Sequence, residues 1–197
     1  AKVANITPDA KLLVGHLMLY DPAWIAMKKA AKSLGKISQI NYTALKGPSI
    51  KEGTVLQDAG PHPIYLFMDL LGKPKKIFAR KGRFDNIELT LEFDRGISGV
   101  ADIGTVYTER KRGITITGEK GKLILGEFVN PRQLLLIDQN DKPKPLSFPI
   151  EKSPLELEIL EFAKCIRGKT PKVPLSSGIQ VVKLIALAEK SLYIFLK

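Results

Sequence analysis

Apolar and polar positions along this chain change period several times, and each change marks an element. Residues 11–20, KLLVGHLMLY, are mostly apolar without alternation, the pattern of a strand buried on both faces, and the run stops at Asp21-Pro22. That pair is a helix start, because Asp21 caps free backbone N–H groups and Pro22 sits at the first helical position, where a missing N–H costs nothing. Trp24, Met27, Ala31 and Leu34 then fall on one helical face, and Gly35 ends the helix. Residues 36–46 return as a strand, and 47–55, GPSIKEGTV, are a loop by their Gly, Pro and Ser content. In LQDAGPHPIYLFMDLLG a helix is expected to begin near Pro61 or Pro63 and run through Met68 to Gly72, which places Asp58 and His62 around its N-terminus.

From Pro74 the period becomes two. Ile87, Leu89, Leu91 and Phe93 alternate with Glu88, Thr90, Glu92 and Asp94, the signature of a strand with one wet face, and Asp94-Arg95-Gly96 turns the chain. ISGVADIGTVY, RGITITG, KLILGEF and RQLLLID continue as strands between Gly- or Asp-containing turns, a largely antiparallel meander in which parallel crossovers are not indicated. The end is helical: SPLELEILEFAKCIRGK, capped by Ser153, then a last helix in which Val181, Leu184, Ala188, Leu192 and Phe195 share a stripe. The order predicts one α+β domain over 1–197, an open, predominantly antiparallel sheet with helices packed on one face. Apolar residues expected on the second sheet face suggest a homo-oligomer that covers it.

At 197 residues, 44% hydrophobic and 26% charged, the chain has ordinary globular composition and length enough for one substantial core. No run of eighteen apolar residues occurs, and the opening AKVANITPDAK lacks the plan of a signal peptide, so a soluble, cytoplasmic protein is expected. The formal charge of +11 raises nucleic acid as a partner. However, KPKK (73–76), RKGR (80–83) and ERKR (109–112) sit at turns or strands with no aromatic platform and no helix-turn-helix, which argues for solvated turns or an anion pocket instead.

Chemistry-bearing residues are few. The only histidines are His16 and His62, the latter four residues after Asp58. Asp-x-x-x-His at a loop-to-helix junction lets a carboxylate orient a hydroxyl while the imidazole takes its proton, although a cap or structural hydrogen bond is the commoner use of such a pair. Two separated histidines and the single Cys165, which falls within a helical pattern, do not make a zinc site, so no metal is expected. No glycine-rich strand-to-helix fingerprint for a pyrophosphate and no G-x-S-x-G occur, leaving cofactor binding by this chain and hydrolysis without support.

In order and spacing, VGHLMLYDPA, LGKIS, LQDAGPHPIYLFMDLLGKP, FDNIELTLEFDRG, ITGEKGKL and the closing EFAKCIRGKTPKVPLSSGIQVVKLIALAEKSL resemble the C-terminal domain of the Gfo/Idh/MocA family. That resemblance implies a domain like the C-terminal part of glucose-fructose oxidoreductase or dihydrodipicolinate reductase. It implies substrate contacts and oligomerisation here, with NAD or NADP held by a separate N-terminal Rossmann domain or subunit. The family's catalytic Asp and His map onto Asp58 and His62, with the histidine as acid or base on a sugar, sugar-derivative or polyol hydroxyl. His16 and Tyr20 of VGHLMLY become substrate-binding candidates, as do Lys46 just before the 47–55 loop and Lys51 within it, where exposed lysines are the plainer account. The family's E-K-P lysine has no counterpart, and Leu19, Pro63 and Tyr65 depart from its usual residues. The alternative is a stand-alone, non-catalytic oligomerisation or small-ligand-binding domain.

Overall fold

The structure is a computed structural model and describes residues 11–46, 54–82, 86–105, 110–126 and 133–194. An eight-stranded sheet organises them in the order β2-β3-β4-β1-β5-β6-β7-β8. The strands are β1 (Ile37–Leu45), β2 (Lys76–Lys81), β3 (Ile87–Glu92), β4 (Ser98–Gly104), β5 (Lys111–Gly118), β6 (Gly121–Leu125), β7 (Leu134–Ile137) and β8 (Pro143–Leu146). The helices are α1 (Pro22–Ala30), α2 (Val55–Ala59), α3 (Pro61–Leu71), α4 (Pro154–Ile166) and α5 (Leu175–Ile194). The open, mostly antiparallel α+β architecture expected from the pattern is therefore present.

One pairing breaks the antiparallel rule. β1 lies between β4 and β5 and runs parallel to β4, with Tyr42 opposite Ala101, because α2 and α3 carry the chain to the far edge before β2, β3 and β4 return toward β1. The expectation of no parallel crossover is corrected accordingly: local turn signals report hairpins, whereas this pairing joins segments more than fifty residues apart.

The two faces of the sheet differ. On one, register aligns Ile77, Leu91, Gly99, Ile40, Ile116 and Leu123, and beside them Ala79, Leu89, Ala101, Tyr42, Ile114 and Leu125, nearly all buried beneath the helices. Gly99 is needed there because the Phe67 ring of α3 occupies the space a Cβ would fill. The opposite face carries Lys76, Arg80, Glu88, Thr90, Glu92, Asp102, Gln39, Asn41, Thr43, Thr115 and Thr117. Its apolar members are fewer, chiefly Phe78, Val100, Ile124 and Leu135 in one cross-strand row. Among the described residues the expected abundance of apolar side chains on that face is not found; strict alternation sends the polar half of β1, β3 and β5 outward.

Helix boundaries follow the capping chemistry. Asp21 Oδ1 accepts from Ala23 N at 2.9 Å to start α1 with Pro22 at its first position, and a 3₁₀ turn, Ala31–Leu34, continues the helix to Gly35 at φ +71°. Trp24, Met27, Ala31 and Leu34 are all buried, as their spacing predicts. Ser153 and Glu156 form a reciprocal capping box at α4. Val181, Leu184 and Ala188 of α5 are buried, while Phe195 lies outside the described residues. Ser191 Oγ of α5 accepts from Ala79 N at 2.7 Å, so this helix protects the β2 edge that would otherwise present an unpaired backbone.

The expected strand at 11–20 is absent. Residues 11–16 are irregular and Leu17–Tyr20 form a 3₁₀ turn. The apolar residues of this run meet helices rather than a strand ladder: His16, Leu19 and Tyr20 are buried, whereas Leu12 and Leu17 are exposed. An unbroken apolar run shows burial without showing which secondary structure achieves it.

Candidate active site

β1 supplies one wall of a cleft through its period of two, which sends Tyr42, Ala44 and, just past the strand, Lys46 to the helix-covered side. β5 runs beside it and places Arg112 opposite Ala44. A second wall comes from the α2–α3 junction. Thr54 caps α2, its Oγ1 accepting from Gln57 N at 3.2 Å, so the helix begins well before Pro61, earlier than the prolines suggested. Gly60 keeps helical angles (φ −63°, ψ −34°) but approaches Ile185 of α5 closely, and Pro61 opens α3 without an N–H to donate. The two helices are therefore nearly continuous, and the four-residue spacing of Asp58 and His62 brings both to the cleft. Asp58 is in α2 and not in the loop before a helix, as had been expected. The 3₁₀ turn and Pro154 at the start of α4 complete an enclosure of about 320 Å³.

Within it, Asp58 and His62 do not bond to each other. Lys46 Nζ lies 3.2 Å from Asp58 Oδ2, and His62 Nδ1 lies 3.0 Å from the Tyr65 hydroxyl, which also accepts from Met18 N at 3.4 Å. Solvent reaches His62, yet the packed walls around it lower its pKa; Asp58 opposes this shift, while Arg112 and Lys46 reinforce it. The imidazole is thus neutral at neutral pH. If Nδ1 donates to the tyrosine oxygen, Nε2 is a bare base; if the tyrosine donates to Nδ1, Nε2 carries a proton to give. Burial pushes the Tyr42 phenol up to about 12, so Tyr42 enters the cleft as a neutral hydroxyl.

The remaining predicted residues are placed elsewhere. His16 is buried behind Tyr65, stacked on its ring with centroids 4.3 Å apart, and burial followed by the charge of His62 lowers its pKa to about 4. Tyr20 is buried on the α4 side with Lys172 Nζ 5.0 Å from its ring centroid, and burial, then Glu158 and Glu161, raise its pKa to about 12. Neither ring lines the cleft. Lys51 lies outside the described residues. Tyr42 was missed by the sequence reading, Arg112 entered it only as part of the basic run 109–112 offered as a turn or an anion pocket, and Tyr65 was noted only as a departure. Alternation along β1 would have placed Tyr42 with Lys46, but Arg112 depends on the long-range β1–β5 pairing.

Among the described residues no cluster of three His, Cys, Asp or Glu side chains suits a metal, and no helix is long and apolar enough to cross a membrane. No glycine-rich strand-to-helix turn of the kind that cradles a dinucleotide is found among them.

An open, mostly antiparallel sheet with helices on one face, and a histidine-bearing cleft at the end of that layer, define the α+β class of this chain. Residues 31–124, a little under half of the chain, match the GFO/IDH/MocA C-terminal domain. No curated protein matches the sequence. Among solved structures, UDP-N-acetylglucosamine 3-dehydrogenase from Acidithiobacillus ferrooxidans is similar with a TM-score of 0.82 at 17% identity, over 94% of this chain and 63% of that one. An NADPH-dependent oxidoreductase from Desulfitobacterium hafniense matches with a TM-score of 0.83 at 20% identity, over 98% and 65%. An oxidoreductase from Agrobacterium radiobacter in complex with NAD+, L-tartaric acid and magnesium gives 0.75 at 15% identity, over 93% and 63%. At these identities the likeness is one of fold, and the chain spans less than two thirds of each of the three.

Proposed function

We propose that this chain is the substrate-binding half of an NAD(P)-dependent oxidoreductase acting on a hydroxyl of a sugar, sugar derivative or polyol. The observation that carries it is the convergence of His62, Asp58, Lys46 and Tyr42 on one cleft. In the oxidative direction, neutral His62 takes the proton of the substrate hydroxyl at Nε2 while Nδ1 donates to Tyr65; in reduction the protonated ring returns it to the carbonyl oxygen. Asp58, held by Lys46, and the Tyr42 hydroxyl orient neighbouring hydroxyls. NAD or NADP, when bound, supplies the hydride acceptor or donor, and its binding falls to a Rossmann domain or subunit outside these residues. The dehydrogenase and NAD(P) descriptions of the three similar structures support that assignment. Self-association through the polar-edged sheet face, along the Phe78–Val100–Ile124–Leu135 row, and a cytoplasmic location belong to the same proposal.

A fluorescence titration of the purified chain with NADH and NADPH tests the division of labour. No saturable binding by the chain alone, with hydroxyl-dependent NAD(P)+ reduction once a dinucleotide-binding domain is supplied, is the expected result. Tight binding by the chain alone would overturn it, and sugar binding without any turnover in the reunited protein would favour a non-catalytic ligand-binding domain.

A further inference from the structure

Arg112 is the cleft residue that the proton-transfer scheme leaves unused. It projects from β5 onto the covered side of the sheet, opposite Ala44 and facing Tyr42 and His62. The other charged groups around the cleft are engaged. Lys46 pairs with Asp58, and Asp21 caps α1 through Ala23 N. By contrast, Arg112 has no carboxylate within ion-pair distance among the described residues, and its buried Nε has no hydrogen-bond partner at all. A guanidinium is permanently charged and presents a planar fork of donors that matches two oxygens of one oxyanion; leaving such a donor desolvated and unpaired is costly unless a ligand completes it.

We propose that Arg112 is a substrate-binding residue that anchors an oxyanion group, a carboxylate or phosphate, carried by the hydroxyl compound in this cleft. The inference rests on the cleft being the substrate site. It narrows the substrate class from neutral sugars and polyols to sugar acids or sugar phosphates. Arg112 and His62 share one cavity, so an oxyanion on the guanidinium and a reacting hydroxyl beside the imidazole belong to the same small molecule. Neutralising Arg112 also removes one of the positive charges that hold down the His62 pKa, the others around that ring being Lys46 and, in opposition, Asp58.

The chain has two histidines, which makes NMR of their ring protons a direct readout, with His62→Asn assigning the signals. In low-salt, phosphate-free buffer the 197-residue chain is titrated with gluconate, glucose 6-phosphate and glucose, and the His62 pKa is measured at each end point. Saturable binding of gluconate or glucose 6-phosphate that raises the His62 pKa, with no such rise from glucose, is expected; whichever anion acts at lower concentration identifies carboxylate or phosphate as the group. Arg112→Gln should raise the resting His62 pKa and weaken anion binding roughly ten- to hundredfold, and Arg112→Lys should restore part of it. The His16 signal, buried behind Tyr65, reports that the variants remain folded. Equal anion affinity in wild type and Arg112→Gln, or glucose binding as well as the anions, would overturn the anchor. Loss of the anion response in Arg112→Gln together with full turnover of His62→Asn in the reunited enzyme would uphold the anchor while rejecting the acid-base role of His62.

Discussion

The chain's two histidines flank the same tyrosine in opposite circumstances. Behind Tyr65, His16 is sealed in, stacked ring on ring, with an Nε2 that finds no partner. In front, His62 meets the tyrosine edge-on, hydrogen-bonds its hydroxyl and faces a cleft that carries Asp58, Lys46 and Arg112. Burial lowers the pKa of both, so both are neutral at neutral pH. What separates them is access: one imidazole is enclosed, whereas the other is held at an open rim beside ionic groups, as the proposed proton transfer needs. Titration behaviour alone does not make a catalytic base; a path to substrate does.

Substitutions at the two histidines and their partners test that contrast. The largest effect is expected from His62→Asn in the protein reunited with a dinucleotide-binding domain: turnover should fall by about 10²- to 10⁴-fold, measured by nicotinamide absorbance, with folding intact by circular dichroism. His16→Phe, by comparison, keeps the stack on Tyr65 and should leave turnover within a few-fold.

Next comes the stability that His16 makes dependent on pH. Its folded pKa, about 4, lies below the ordinary 6.5, so the native state resists protonation that the unfolded chain accepts. The contribution is fully present above pH 6.5 and is lost as pH falls from 6.5 through about 4. Urea denaturation across that window should show a loss on the order of 3 kcal/mol, to which His62 adds in the same direction. In His16→Phe most of that slope should disappear; an unchanged slope would locate the acid sensitivity elsewhere.

Tyr65→Phe removes the hydroxyl that serves His62 Nδ1 and Met18 N while leaving the aromatic stack. A loss of about 1 kcal/mol in stability is expected, with turnover reduced roughly tenfold because the ring of His62 loses its orienting partner. The smallest effect belongs to Lys46→Met. Its pair with Asp58 is partly exposed, Asp58 at 45% of its side-chain surface, so stability should change by less than about 1 kcal/mol while substrate KM rises.

The contrast was only partly legible in the sequence. Elements with local causes were readable: the Asp21-Pro22 cap, the one-sided stripe of α1, the alternation of β3 and the Ser153 box each depend on residues a few positions apart. The pair Asp58 and His62 was likewise visible, since a four-residue spacing serves one helical face. What escaped needed distant partners. Tyr65 lies between two histidines 46 residues apart in sequence. Tyr20, next to the VGH motif, turned toward α4 because Leu17–Tyr20 coil as a 3₁₀ turn instead of extending. Arg112 reaches the cleft through a β1–β5 pairing that no local pattern announces. Resemblance to a family supplied the fold and the Asp-x-x-x-His segment, but the hydrogen-bonded chain from Met18 through Tyr65 to His62 became visible only in the structure.

The decisive measurement for His62 is the pH profile of kcat/KM for hydroxyl oxidation, in wild type and His62→Asn joined to a dinucleotide-binding domain. In the proposed reaction, oxidation requires the neutral imidazole. Wild-type kcat/KM should therefore fall on the acid side, with an apparent pKa below 6.5, while the residual activity of His62→Asn should lack that acid limb. The same acid limb persisting in His62→Asn at wild-type rate would contradict the assignment of His62 as the proton acceptor of this cleft.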